Sequence, residues 1–177
     1  MRENTYEEKK KKLEKITEEI ENCEICNRYK IGHLVAGEGK LNTKIMFVGE
    51  APGPNESKTG HPFIGRSGKF LTKLLFSIGL RREEVFLTSP VKYYPGKRAL
   101  NNEEIKHGML HTSKQIEIID PKLIVMLGNV ALKALFPNER FKLSKIHGRV
   151  IKKEGRIYFP TFHPAAAMRF PKIRKLM

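Results

Sequence analysis

The chain has 177 residues, of which 40% are hydrophobic and 30% charged, the balance of one water-soluble globular domain over 1–177. No apolar run approaches the roughly 20 residues needed to span a bilayer, and the opening MRENTYEEKKKKLEK is too charged for a signal peptide. A cytoplasmic protein with no membrane partner is therefore expected. Of 19 acidic residues all but Asp120 are glutamate, which argues against Asp-built metal clusters, EF-hands and Asp-dependent phosphotransfer. The formal net charge is +15, unevenly placed. Residues 1–22 net −1, whereas residues 137–177 net +9. A basic surface on the body of a domain favours a polyanionic partner, and nucleic acid is the expected one.

Residues 5–22 read as an N-terminal helix, with Leu13, Ile16 and Ile20 at helical spacing among charges. The pair Cys23 and Cys26 ends it, too few cysteines for a disulfide scaffold and compatible with reduced thiols or a metal site. The Gly-rich stretch 30–43 reads as irregular. Ile45–Val48 is a short unbroken apolar run, as in a strand buried on both faces, and 49–65 is a loop too rich in Gly and Pro for helix. A helix is predicted over 66–78, a strand over 85–87, and a helix from an Asn101 or Asn102 cap to about Ile119. A strand over 123–127 and a helix over 129–136 follow, then a small hairpin from 149–151 and 156–159. The alternation predicts a parallel sheet covered on both faces. Its chemistry should then lie at the carboxyl ends of the strands, in loops 49–65, 88–100 and 161–169.

The first loop offers Glu50 and Glu56 on a backbone freed by Gly49 and Gly53. It has neither the Lys-Ser/Thr ending of a P-loop nor the dinucleotide fingerprint. Phe63 is a core residue or a platform for a planar base. In the third loop His163 is followed by Pro164 and the small run 165–167, which allows a ligand close to the backbone. Met168 can fill a gap in a base stack and Arg169 can contact phosphate.

These residues carry a resemblance. Gly49-Glu-Ala-Pro-Gly53, Gly60-His-Pro-Phe-Ile-Gly65 with Gly68-Lys-Phe-Leu71, Pro121-Lys-Leu-Ile-Val125 with Leu127-Gly128, and His163-Pro-Ala-Ala166 resemble, in order, the motifs of family 4 uracil-DNA glycosylases over about residues 20–171. The resemblance implies a three-layer α/β/α sandwich with a central four-stranded parallel sheet. It implies a monomeric enzyme that flips uracil out of DNA and hydrolyses its glycosidic bond with water and no catalytic cofactor. It assigns Glu50 and Glu56 to the acidic positions of the water site and His163 to the histidine near uracil O2. It assigns Phe63 to the stacking aromatic, with Gly49 and Ala51 beside the base. A DNA-contacting face is expected from Arg149, Arg169, Lys172, Arg174 and Lys175, with Met168 at the vacated base position and Lys97 and Arg98 extending it.

Two departures from the family bear on its chemistry. Where the family has an Asn reading the base edge, this sequence has Ser89, one short rotor in place of a planar amide. A different deaminated base such as hypoxanthine, or damage sensing without efficient excision, therefore stays open. The family often holds an iron–sulfur cluster on four cysteines, and two of these positions fall on Tyr93 and Gly108. Beside Gly108, His107 and His111 share one helical face. With Cys23 and Cys26 they make the ligand set of a structural Cys2His2 zinc. A mixed-ligand iron–sulfur cluster, or no metal, is the alternative.

Overall fold

Four apolar runs pair in parallel and form the middle of the sheet. They are Ile45–Val48, Phe86–Thr88, Leu123–Leu127 and Arg156–Thr161. The computed structural model describes residues 5–28 and 30–177. Within these, numbered in chain order, the strands are β1 (Glu38–Gly39), β2 (Ile45–Val48), β3 (Phe86–Thr88), β4 (Leu123–Leu127), β5 (Ile151–Lys153) and β6 (Arg156–Thr161), in spatial order β1-β3-β2-β4-β6-β5. The expected four-stranded parallel sheet is present, and an antiparallel strand extends it at each edge. A hairpin was expected from the sequence, but its first strand lies at 151–153 and not at 149–151, because the turn takes only Glu154 and Gly155. The two-residue β1 was not expected, because its Gly-rich segment has no apolar period and only pairing with β3 extends it.

Alternation along the strands sends successive residues to opposite faces. Met46, Val48, Ile124 and Met126 pack with Ile116, Ile119 and Leu132. These come from helices α5 (Asn102–Ile119) and α6 (Gly128–Leu135). Phe47, Val125 and Leu127 pack with Leu71 and Leu75 of α4 (Arg66–Ser77). Two helical layers thus enclose the sheet. The N-terminal helix α1 (Tyr6–Glu21) buries Ile16 and Ile20 against Tyr93. The short α2 (Glu24–Asn27) follows it.

The loop 49–65 is not wholly irregular. One helical turn, α3 (Glu56–Thr59), forms after Pro54 and Asn55 and is ended by Gly60 at φ 79°. A single turn needs few residues, and proline is tolerated just before it. Three further short helices, α7 (Leu143–Ile146), α8 (Pro164–Arg169) and α9 (Pro171–Leu176), complete the chain. Pro164 and Pro171 open α8 and α9 at the first helical position, where no N–H is needed.

The start of α5 is fixed as its sequence suggests. Asn101 Oδ1 accepts from the Glu104 N–H at 2.8 Å, and Glu104 Oε2 accepts from the Asn101 N–H at 3.1 Å. This reciprocal cap is a local determinant of where α5 begins. Replacing Asn101 by Ala should lower unfolding free energy by about 1 kcal/mol, read from urea melts as a lower midpoint at unchanged slope.

Candidate active site

The chain reverses direction across the sheet between β2 and β4, since β3 lies on one side of β2 and β6 beyond β4. A crevice opens at the carboxyl ends of strands at such a switch point. Here it is a cavity of 280 Å³ whose walls include Glu50, Ala51, Gly53, Glu56, Phe63 and His163. Residues 113 positions apart in sequence, Glu50 and His163, thus meet at one sheet edge, as expected.

His163 caps α8. Its Nδ1 accepts from the Ala165 N–H at 3.1 Å, so the ring proton of a neutral imidazole sits on Nε2, leaving a donor there. Burial holds its pKa down at about 4, which keeps the ring neutral near pH 7. The Phe63 and His163 rings face each other with centroids 6.5 Å apart and planes 30° from parallel. Phe63 lies directly against Gly49: a Cβ on Gly49 would stand 2.5 Å from the Phe63 Cζ. Gly49 is therefore space for the aromatic ring.

The two acids differ. Glu50 carries a carboxyl whose pKa is raised by burial, the direction that suits a proton acceptor near neutral pH. Glu56 is buried and its carboxylate is taken up by backbone. Oε1 accepts from the N–H groups of Ile64 at 2.9 Å and Gly65 at 2.8 Å, and Oε2 from Gly53 at 3.1 Å. Glu56 lines the cavity as the organiser of its loop, and Glu50 lines the same cavity.

Ser89 is buried, and its hydroxyl donates to the Val91 carbonyl at 3.0 Å. It is not among the residues lining the cavity. Val35 and Pro95, which sequence reading missed, do line it. Val35 is held by its N–H to the Lys92 carbonyl at 2.9 Å. The buried Lys92 Nζ donates to Thr88 Oγ1, Gln115 Oε1 and the Ala36 carbonyl. No local pattern marks a rim residue set by such a distant network.

Met168 and Arg169 line an adjoining cavity of 330 Å³ together with Asn55, Arg66 and Ser67. On the other side of His163 and Glu50 lies a cleft of 610 Å³ with Asn129, Lys133, Lys142 and Ser144 on its walls. Arg66, Lys133 and Lys142 join the basic surface without having been foreseen, since on a one-dimensional reading each is an ordinary helix or loop cation. Of the expected contacts, Lys97, Arg149, Lys172 and Lys175 are exposed. Arg98 pairs with Glu104, and the Arg174 guanidinium stands 5.6 Å from the centre of the Phe70 ring.

A second constellation lies outside the cavity. Cys23, Cys26, His107 and His111 bring one ligand atom each within 4.8 Å of one another, and such a group can hold a metal ion. Cys23 Sγ lies 2.9 Å from His107 Nε2. The two imidazoles meet edge to face, 5.3 Å between centroids. Both ring nitrogens of the buried His111 have no hydrogen-bond partner. Burial, then the neighbouring Cys23, pushes the Cys26 thiol up to about 12, a shift that a cation among the four groups would reverse. At the positions of the two absent cysteines the space is filled. Tyr93 is buried, and a Cβ on Gly108 would lie 1.9 Å from the Pro90 carbonyl oxygen.

This switch-point crevice, with an acid after the first parallel strand and a histidine after the last, is consistent with the family that the sequence motifs resemble. Comparison with known proteins agrees. Residues 36–176 match the family described as the uracil DNA glycosylase superfamily, and the chain belongs to it. It is 42% identical over 175 residues to the type-4 uracil-DNA glycosylase of Sulfurisphaera tokodaii, covering 93% of this chain and 80% of that protein. It is 39% identical to the type-4 enzyme of Thermotoga maritima, covering 89% and 83%. To the type-5 enzyme of Pyrobaculum aerophilum it is 29% identical, covering 76% and 66%. None of the described helices is long and apolar enough to cross a membrane.

The depressed pKa of His163 has a consequence for stability. Between pH 6.5, the ordinary histidine value, and about 4, the unfolded chain binds a proton that the folded ring resists, so stability falls with pH across that window. Unfolding free energies measured from pH 7 to 4 should decline more steeply for the wild type than for His163→Gln.

Proposed function

We propose that this protein excises uracil from DNA, stacking the flipped base on Phe63 with His163 at its edge and hydrolysing its N-glycosidic bond. The observation that carries the reading is the meeting of Glu50, Phe63 and a neutral His163 in one cavity. As the bond between C1′ and the base N1 breaks, its electron pair moves onto the uracil, largely to O2. The Nε2–H of His163 is the donor for that oxygen, and it acts without first losing a proton. The sugar becomes oxocarbenium-like, which the nearby Glu50 carboxylate favours electrostatically. Water adds to C1′ and its proton passes to Glu50. Phe63 supplies a stacking face, and Glu56 keeps the loop that carries it in register.

The basic walls of the two flanking spaces, with Arg66, Arg169, Lys133 and Lys142, support a path for the DNA backbone on either side of the flipped nucleotide. Lys97, Arg149, Lys172 and Lys175 lie outside those walls, where they serve longer-range attraction. The protein acts as a cytoplasmic monomer of one domain, a setting in which thiols stay reduced.

A second substrate is favoured by one observation. The Ser89 hydroxyl is spent on the Val91 carbonyl, so no side chain there reads the base edge. Tolerance of another deaminated base, hypoxanthine, follows from that loss of discrimination.

At the Cys/His cluster the bound ion is zinc. The family's four-cysteine cluster does not fit: the chain has two cysteines, and Tyr93 and the Pro90 backbone fill the remaining positions. Four ligand atoms within 4.8 Å of one another can converge on a single four-coordinate ion. An iron–sulfur cluster spreads its ligands over several irons. A zinc there would be structural, tying the segment after α1 to α5.

Oligonucleotides carrying one uracil, hypoxanthine or normal base, incubated with protein and then alkali, test the activity. Uracil release is expected, with His163→Ala slower by roughly 10- to 1,000-fold. Binding without base release would contradict the enzyme reading. For the metal, elemental analysis of tag-free protein should give about one zinc per chain, lost in His111→Ala. A metal-free protein whose melting is unaffected by chelator would contradict it.

A further inference from the structure

Phe63 has a backbone φ of 53°, in the left-handed region that bulky side chains rarely adopt. Such a residue persists only where its surroundings hold it. Two supports are glycines: Gly49 under the ring, and Gly68 of α4, where a Cβ would stand 1.9 Å from the Phe63 carbonyl oxygen. The third is a charged cluster outside the cavity. Arg82, in the single 3-10 turn Arg82–Glu84 between α4 and β3, donates from Nη1 to the Phe63 carbonyl at 2.9 Å. Its Nη2 reaches the Pro62 carbonyl and Glu38 Oε1, the latter at 3.0 Å. Glu38 Oε2 lies 2.6 Å from His61 Nδ1. The short strand β1 thus delivers one carboxylate that grips the loop twice, directly at His61 and through Arg82 at 62 and 63.

We propose that Arg82, anchored by Glu38, is a positioning residue for base capture that holds Phe63 in its left-handed conformation with the ring turned toward His163. The proposal rests on the reading of Phe63 as the base platform. Arg82, Glu38 and His61 are absent from the cavity lining, so they act through Pro62 and Phe63, which line it. A planar guanidinium is the group suited to the task, because it spans two successive carbonyls and a carboxylate with donors in fixed directions. A lysine supplies the charge without the fork. With the ring held before the base arrives, ordering of the loop is not charged against binding.

The test is a double-mutant cycle combined with hydrogen exchange. Uracil release is measured under single-turnover conditions against protein concentration for wild type, Arg82→Gln, Phe63→Ala and the double variant. Arg82→Gln should raise the half-saturating concentration by about tenfold, with a smaller change in maximal rate, and Arg82→Lys should recover part of the loss. In the Phe63→Ala background, Arg82→Gln should change the half-saturating concentration by no more than about twofold. Amide exchange in residues 61–65 should accelerate in Arg82→Gln while that of β4 stays unchanged. An equal loss in both backgrounds, no loss in either, or unchanged exchange at 61–65 would overturn the proposal. Should the wild type release no uracil, the exchange arm still decides the clamp, and the platform reading fails separately. Should Arg82→Gln not fold, Glu38→Gln at the sheet edge carries the same cycle, and additivity with Phe63→Ala would again overturn the proposal.

Discussion

One buried carboxylate organises the working end of this molecule. Glu56 accepts three backbone N–H groups from two stretches of the same loop, Gly53 on one side and Ile64 and Gly65 on the other. Hydrogen bonds to an ionised acceptor are among the stronger ones available, and burial increases the cost of leaving any member unpaired. The bonds close the loop on itself. Glu50 and Ala51 are thereby fixed on one limb and Phe63 on the other, and Gly65 is set as the residue from which α4 departs. His163 arrives from β6 and completes the cavity. The loop can be rich in glycine and proline, with little regular structure, because its backbone donors are satisfied by a side chain.

The parts of the fold set by local rules were legible in the sequence. Ile45–Val48 and Leu123–Leu127 are unbroken apolar runs, and both became central parallel strands. The Asn101 cap and the spacing of Leu71 and Leu75 placed α5 and α4 within a residue or two. What escaped was set by pairing across the chain. Glu38–Gly39 becomes a strand only because β3 has a free edge. The grip of Arg82 on Glu38 joins positions 44 residues apart. The candidate site was legible in the same way. The residue types of Glu50, Phe63 and His163 and their places after strands put them in one crevice. The division of labour between Glu50 and Glu56 was not legible, because it depends on which carboxylate finds backbone donors. Nor could the sequence tell that the Ser89 hydroxyl turns back to its own loop.

The same logic governs the Cys/His cluster. The spacing of Cys23 with Cys26, and of His107 with His111, made a ligand set conceivable. What the structure adds is convergence of all four groups and a buried imidazole with both nitrogens unpartnered, an expensive arrangement unless something satisfies it. The cluster lies outside the cavity that holds Glu50 and His163, so the segment after α1 can be tied down there without touching the chemistry.

At the centre stands a flipped base stacked on Phe63, with the imidazole Nε2–H of His163 directed at its O2. A crystal structure of the protein bound to duplex DNA carrying 2′-fluoro-2′-deoxyuridine, whose glycosidic bond resists cleavage, tests it most directly. The uracil ring should stack on Phe63, with its O2 within hydrogen-bond distance of His163 Nε2 and Glu50 facing the sugar C1′. A uracil still stacked in the helix, or one seated away from Phe63 and His163, would contradict it.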